Sequence, residues 1–311
     1  MNISIKANKL IVVLGPTASG KTETAIRLAK KFNGEIVSAD SRQIYKELNI
    51  GTAKPDIKNS KTKNKKRLFK KIPYHLIDVV RPDKEFNVAI YKKIAIKQIK
   101  EIQKRGKIPF LVGGTGLYIW TIVNNVNFPR VKANKKLREE LEKKSCEELF
   151  KIYKKLDSRD AERVEKKNKR RLIRAIEVCK TTKKLFSKQR KKGKKLFDIL
   201  EIGIKLEDEK LKQRISKRTK KMFKLGLETE VKNLNKKYSF NLPILRETIG
   251  YKEWENYFKG EIDKKSVLEQ INIHTIQLAK KQMTWFKRDK QIQWLKNCQD
   301  AEKLVKNFLK K

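Results

Sequence analysis

The chain has 311 residues, 38% of them hydrophobic, enough for one large α/β domain with an insertion or for two domains. Its 80 Lys+Arg against 35 Asp+Glu give a formal charge of +45, which points either to a polyanionic partner that gives up condensed counterions on binding or to compositional drift toward Lys, Asn and Ile. No segment approaches the ~20 apolar residues that span a bilayer, and Cys146, Cys179 and Cys298 form no CxxC pair, so a membrane-spanning protein, a disulfide framework and a cysteine zinc site are set aside and a monomer in a reducing cytoplasm is expected.

In chain order, residues 10–14 (LIVVL) read as a buried parallel strand. A glycine-bearing loop leads to a helix over 21–32, whose apolar positions Ala25, Ile26, Ala29 and Phe32 recur at helical spacing. Asn33-Gly34 stops it, and 35–38 (EIVS) is a second strand, so the chain opens as a βαβ unit and predicts a doubly wound sheet. Residues 58–71 carry eight basic residues and no acid, and read as an exposed loop or ragged helix. Residues 74–80 (YHLIDVV) are a strand candidate, 86–105 a helix, and 107–112 (KIPFLV) a strand running into Gly113-Gly114-Thr115-Gly116. The texture changes near Phe128-Pro129. Residues 129–200 read as a helical insertion, densely basic at 183–195, between two core segments, 1–128 and 201–311. The chain is then expected to return to the sheet at 201–205 (EIGIK) and to close with amphipathic helices over 207–235 and 264–288.

Gly15-Pro16-Thr17-Ala18-Ser19-Gly20-Lys21-Thr22 fits the P-loop pattern between a strand and a helix. Its glycines let backbone N–H groups face a phosphate at a helix N-terminus. Lys21 neutralises phosphate charge, and the Thr22 hydroxyl is placed for Mg²⁺. The motif specifies a diphosphate or triphosphate rather than ATP in particular. Asp40 follows the second strand directly, on the rim that carries the P-loop. A carboxylate there can take a proton from a nucleophile, ligate Mg²⁺ through water, or simply cap the next helix. His75 and His274 are isolated and read as structural, and Trp285-Phe286 as core packing.

GPTASGKT, SADSRQIY, GTAKP, PYHLIDV, GGTGLY, RRLIRAIEV and QLAKKQMTWF occur in that order from about residue 10 to 290. Together they resemble the tRNA dimethylallyltransferase (isopentenyltransferase) family, bacterial type. The resemblance implies a P-loop-NTPase-like parallel sheet with helices on both faces and a helical insertion that binds the tRNA anticodon stem-loop. It also implies transfer of a dimethylallyl group from dimethylallyl diphosphate to N6 of the adenine at position 37, with Mg²⁺ as cofactor. By position, Gly15–Thr22 would bind the diphosphate, Asp40 would act as general base, and Lys21, Thr22 and Arg218 would assist; nearby Arg214 is the alternative to Arg218. Asp40, Ser41, Arg42, Gln43 and Thr115, together with Arg170, Arg171, Leu172, Ile173 and Arg174, would meet tRNA. The chain departs from the family pattern at Arg170, usually Gln, at Lys183, usually the Gly of a Thr-Gly turn, and at Ile276, usually Arg. A kinase or NTPase, a non-catalytic RNA-binding protein, and a transferase acting on free adenine nucleotides are the competing readings.

Overall fold

A computed structural model describes residues 8–56, 58–59, 67–129, 131–162, 164–189, 191–295 and 298–311. The chain divides into two compact units: one runs to Val123 and resumes at Leu196, and the other is Asn124–Lys195. Both boundaries lie N-terminal to those read from the sequence. The sheet strand after the insertion begins at Asp198, because Ile199 and Leu200 already pair with the central strand.

In the first unit, β1 (Lys9–Leu14) leads through the glycine loop to α1 (Lys21–Lys31) and β2 (Gly34–Ser38). An edge ribbon follows, β3 (Lys58–Asn59), β4 (Arg67–Phe69) and β5 (Ile72–His75), then α2 (Val88–Lys104), β6 (Ile108–Gly113) and α3 (Gly116–Val123). The second unit holds α4 (Lys135–Glu142), α5 (Cys146–Leu156), α6 (Ser158–Ala161), α7 (Lys169–Thr182) and α8 (Phe186–Gln189). The chain rejoins the sheet as β7 (Asp198–Ile204). It continues through α9 (Asp208–Lys224), α10 (Leu227–Tyr238), α11 (Pro243–Glu247), a 3₁₀ turn (Lys252–Trp254), α12 (Glu255–Phe258), α13 (Lys264–Phe286), β8 (Gln293–Leu295) and α14 (Cys298–Lys310).

The sheet order is β3-β4-β5-β2-β6-β1-β7-β8. The pairs from β5 to β8 are parallel; β3–β4 and β4–β5 are antiparallel. β1 is flanked on both sides and wholly buried, so it needs apolar side chains on both faces. The pleat divides them: Leu10, Val12 and Leu14 join one core with α2, α3, α10 and α13, while Ile11 and Val13 join the other with α1 and α14. Each fully buried side chain of this size contributes about 1.5–3 kcal/mol of transfer free energy. From β1 the sheet grows through β6 and β2 on one side and β7 and β8 on the other, which makes the carboxyl end of β1 the switch point where α/β sheets bind ligands.

Three sequence expectations change. Residues 67–69 form a strand of the edge ribbon rather than a ragged helix, and residues 60–66 lie outside the described residues. The strand read over 74–80 ends at His75, since Leu76 and Asp78 take positive φ (61° and 54°) while Lys54 and Arg67 hold the Asp78 carboxylate. The helix read over 207–235 breaks at Gly226, φ 89°, into α9 and α10.

The second unit has its own core, including Leu141, Leu149, Tyr153, Leu172, Ile173 and Ile176. Helices α4 to α7 start on side-chain caps at Asn134, Ser145, Asp157 and Asn168, with a capping box from Ser145 to Glu148. No described helix is long and apolar enough to cross a membrane.

Candidate active site

β1 ends at Leu14, and α1 begins at Lys21 behind Gly20, whose φ of 94° suits glycine. No side chain caps α1, so its first N–H groups are open to an anion. Ala18 also sits at positive φ, 62°. Two arginines one turn apart on α9 reach this loop. Arg218 Nη1 donates to Thr17 Oγ1 at 2.8 Å, and Arg214 Nη1 donates to Ser19 O at 3.2 Å. Both arginines that the sequence offered for this role therefore touch the loop. Among the described residues, Arg218 Nε and Ser19 Oγ are buried without a hydrogen-bond partner, two orphaned polar atoms in the cradle where a phosphate would lie. From α13, Gln282 Oε1 accepts the Thr17 N–H at 2.8 Å.

Lys21 Nζ donates to Pro16 O at 3.1 Å. Burial lowers its pKa to about 8; the Asp40 charge opposes that and the Arg218 charge adds to it. Burial also lowers Arg218, again opposed by Asp40. One carboxylate and two cations thus share a poorly solvated rim. The hydroxyl of Thr22 lies beside the buried Tyr74 phenol, which burial and Asp40 push above its ordinary range. Tyr91 and Tyr118, stacked with centroids 3.8 Å apart, are raised for the same main reason and also feel Asp40. Sequence reasoning gave these tyrosines no part in the site.

Asp40 leaves β2 on the rim. Its Oδ1 accepts the N–H groups of Arg42 (2.8 Å) and Gln43 (3.2 Å). Residues 41–44 form a turn, not a helix, so Asp40 caps no helix; it closes an Asx-type turn with one oxygen. Oδ2 carries no hydrogen bond among the described residues. Thr115 stands opposite: its Oγ1 accepts the Ser41 N–H at 3.0 Å and donates to Ser41 Oγ at 3.2 Å. Gln43 Nε2 donates to Thr52 O and Ala53 O, so half of this amide is committed to the turn over 51–55. Arg42 Nη2 lies 3.5 Å from Glu247. Lys54, the one cation of that turn, is buried against Asp78, Tyr45 O and Asn49 rather than offered to a ligand.

The histidines are held as structural groups: His75 with Arg105 on buried Glu35, and His274 on buried Glu253. Burial opposes the charge on Glu35, but the bonds from His75 and Arg105 hold its pKa down at about 2.

In the second unit, α7 splits the RRLIR block. Arg170 and Arg171 are exposed, whereas Leu172 (0%) and Ile173 (4%) lie inside the unit's core. Those two side chains have no surface to present to RNA, a correction to the contact set read from the sequence. Arg174 bonds Glu177, which is fully buried, and Val131 O; Arg138 makes a bidentate pair with the same carboxylate. Arg174 therefore closes a buried ion cluster.

The sequence pattern of the family described as IPP transferase matches residues 43–289. The tRNA dimethylallyltransferase of Pelotomaculum thermopropionicum is 39% identical over 99% of this chain and 98% of its own length. That of Acetivibrio thermocellus is 40% identical over 97% and 96%. Among solved structures, the tRNA isopentenylpyrophosphate transferase of Bacillus halodurans superposes with a TM-score of 0.70 at 31% identity, over 98% of this chain and 97% of that one. A eukaryotic dimethylallyltransferase acting on tRNA superposes with a TM-score of 0.81 at 28% identity, over 97% of this chain and 79% of that one.

Proposed function

From the premise that this chain belongs to the IPP transferase family of tRNA dimethylallyltransferases, we propose that it moves a dimethylallyl group from dimethylallyl diphosphate to N6 of the adenine at position 37, on the 3′ side of the tRNA anticodon. The observation that carries this reading is the juxtaposition of a phosphate loop, two cations at it (Lys21 at the start of α1 and Arg218 on α9), and a carboxylate, Asp40, whose charge both cations feel. The adenine nitrogen attacks the allylic carbon as the carbon–oxygen bond to diphosphate breaks, and the N–H proton passes to Asp40 Oδ2. Lys21, Arg214, Arg218 and the loop amides take up the charge of the departing diphosphate. The orphaned Ser19 Oγ and Arg218 Nε gain partners in the same event.

The adenine leaves its stack to reach Asp40, at a cost lowered in an unpaired loop. Ser41, Arg42, Gln43 and Thr115 flank it on the acceptor side. Thr22 supplies a hard oxygen of the kind Mg²⁺ takes together with phosphate oxygens and water, so the residues fit that ion. When bound, Mg²⁺ would add neutralisation at the diphosphate. We read the enzyme as a monomer, since a strongly one-signed net charge opposes self-association, and as a cytoplasmic protein, where tRNA is modified.

The test is incubation with unmodified tRNA and labelled dimethylallyl diphosphate, followed by nucleoside analysis. Label should appear in N6-isopentenyladenosine. Brisk ATP hydrolysis with no label in tRNA would replace this reading with an NTPase.

A further inference from the structure

We propose that Gln282 is a positioning residue for this transfer: its one side-chain amide sets the diphosphate-side loop and the adenine-side loop in register. The inference rests on the function proposed above. Gln282 Oε1 accepts the N–H of Thr17, inside the phosphate loop, at 2.8 Å. Its Nε2 donates to Gly114 O at 2.9 Å. Gly114 precedes Thr115, whose hydroxyl holds the Ser41 N–H, and Ser41 follows Asp40. A single planar group thus links the loop that would hold the leaving group to the segment that would hold the nucleophile and its base.

The adenine-side loop is shaped for this contact. A Cβ on Gly114 would fall 2.5 Å from Gln282 Nε2, and one on Gly116 would fall 2.3 Å from Trp285 Cδ1. Gln282 and Trp285, three apart on α13, share a helix face, and the two glycines let the loop lie along that face. Packing alone does not call for a glutamine at 282. The residue is only half-buried, and an apolar side chain would fill the same volume. Displacement requires the reacting carbon and nitrogen to meet at about 3–3.5 Å in line, so a small shift between the two loops falls directly on the chemical step.

Gln282→Met keeps length and volume but loses both bonds. Gly114→Ala is the independent variant, since its methyl group expels the amide and leaves Gln282 in place. Each should lower kcat by about tenfold to hundredfold, while affinities for inorganic diphosphate and for tRNA stay near wild type. The double variant should be no worse than the poorer single, because both changes break one bridge. Multiplied losses in the double, a kcat near wild type in Gln282→Met, or a lower Tm with unchanged activity of the folded protein would each overturn the proposal. Wild-type protein that places no label on tRNA would overturn the functional reading as well, so the two failures are told apart by the wild-type arm.

Discussion

Asp40 illustrates how two roles can share one side chain. Oδ1 closes the turn over Arg42 and Gln43, and Oδ2 remains for a proton. Asp40→Asn keeps an oxygen for the turn and removes the base. We expect single-turnover transfer to fall by about 10²–10⁴-fold with Tm unchanged; a variant with wild-type rate would reduce Asp40 to its turn. Lys21 offers a test by pH. With its pKa at about 8, its ammonium is lost above that value, while dimethylallyl diphosphate, whose terminal phosphate ionises like a phosphate monoester, is already fully ionised above about pH 7. Affinity for dimethylallyl diphosphate should therefore be flat between about pH 7 and the Lys21 value of about 8 and weaken by up to about tenfold per unit above it. Lys21→Arg, whose guanidinium stays charged, should abolish the bend, and the same bend in that variant would refute the assignment. Stability runs the other way. Between 8 and the ordinary 10.5 the unfolded chain holds the extra proton, so this group adds stability as pH rises through that window. At this scale the P-loop was legible because only particular residues can turn backbone amides toward a phosphate. Arg214 and Arg218 could not be separated from sequence, since residues four apart share a helix face and both reach the loop. Gln282 lies within the QLAKKQMTWF block that marks the resemblance, but nothing in that block assigned it a role, because a polar residue on an amphipathic helix fits no chemical pattern by itself.

Among the elements, α7 separates what was legible from what was not. Its arginines read as one basic block, yet Arg170 and Arg171 face outward while Arg174 closes on buried Glu177. Replacing Arg170 and Arg171 with Gln should weaken tRNA binding and flatten its salt dependence by about one unit for each phosphate no longer neutralised, with Tm unchanged. Arg174→Gln should first lower the stability of the second unit, because among the described residues Glu177 would keep only Arg138 as a charged partner. Equal effects of the two variants on both readouts would erase the distinction. Central strands were legible from apolar runs buried on both faces. The early end of β5 was not, because the ligands of Asp78 come from Lys54 and Arg67, outside any local window. The unusual Lys183, where a glycine was the family expectation, holds φ 55° at the end of α7, the conformation a glycine would have eased.

For the whole molecule, sheet order explains why motifs far apart in sequence meet. The P-loop, Asp40 and the glycine loop before Thr115 each follow a parallel strand, so all three lie on one rim. Alternating strands and helices made that rim readable, whereas α9 and α13 come to it by tertiary packing: α9 was placed there only by the resemblance, through Arg218 or Arg214, and α13 was given no part in it. The charge of +45 is no guide by itself, since the same lysine-rich composition covers helices with no part in the site.

The place of β1 has a further consequence, for the order in which the chain acquires structure during synthesis. β1 emerges first, but one of its two neighbours, β7, lies beyond the whole insertion, and Gln282 later still. Contacts of such long sequence separation form late. The insertion builds its core from nearby helices, so it can be complete while the sheet still lacks its closing strands, as domains that fold as units do. A ribosome stalled before α13 would thus carry a nascent chain with a folded insertion but no finished catalytic rim.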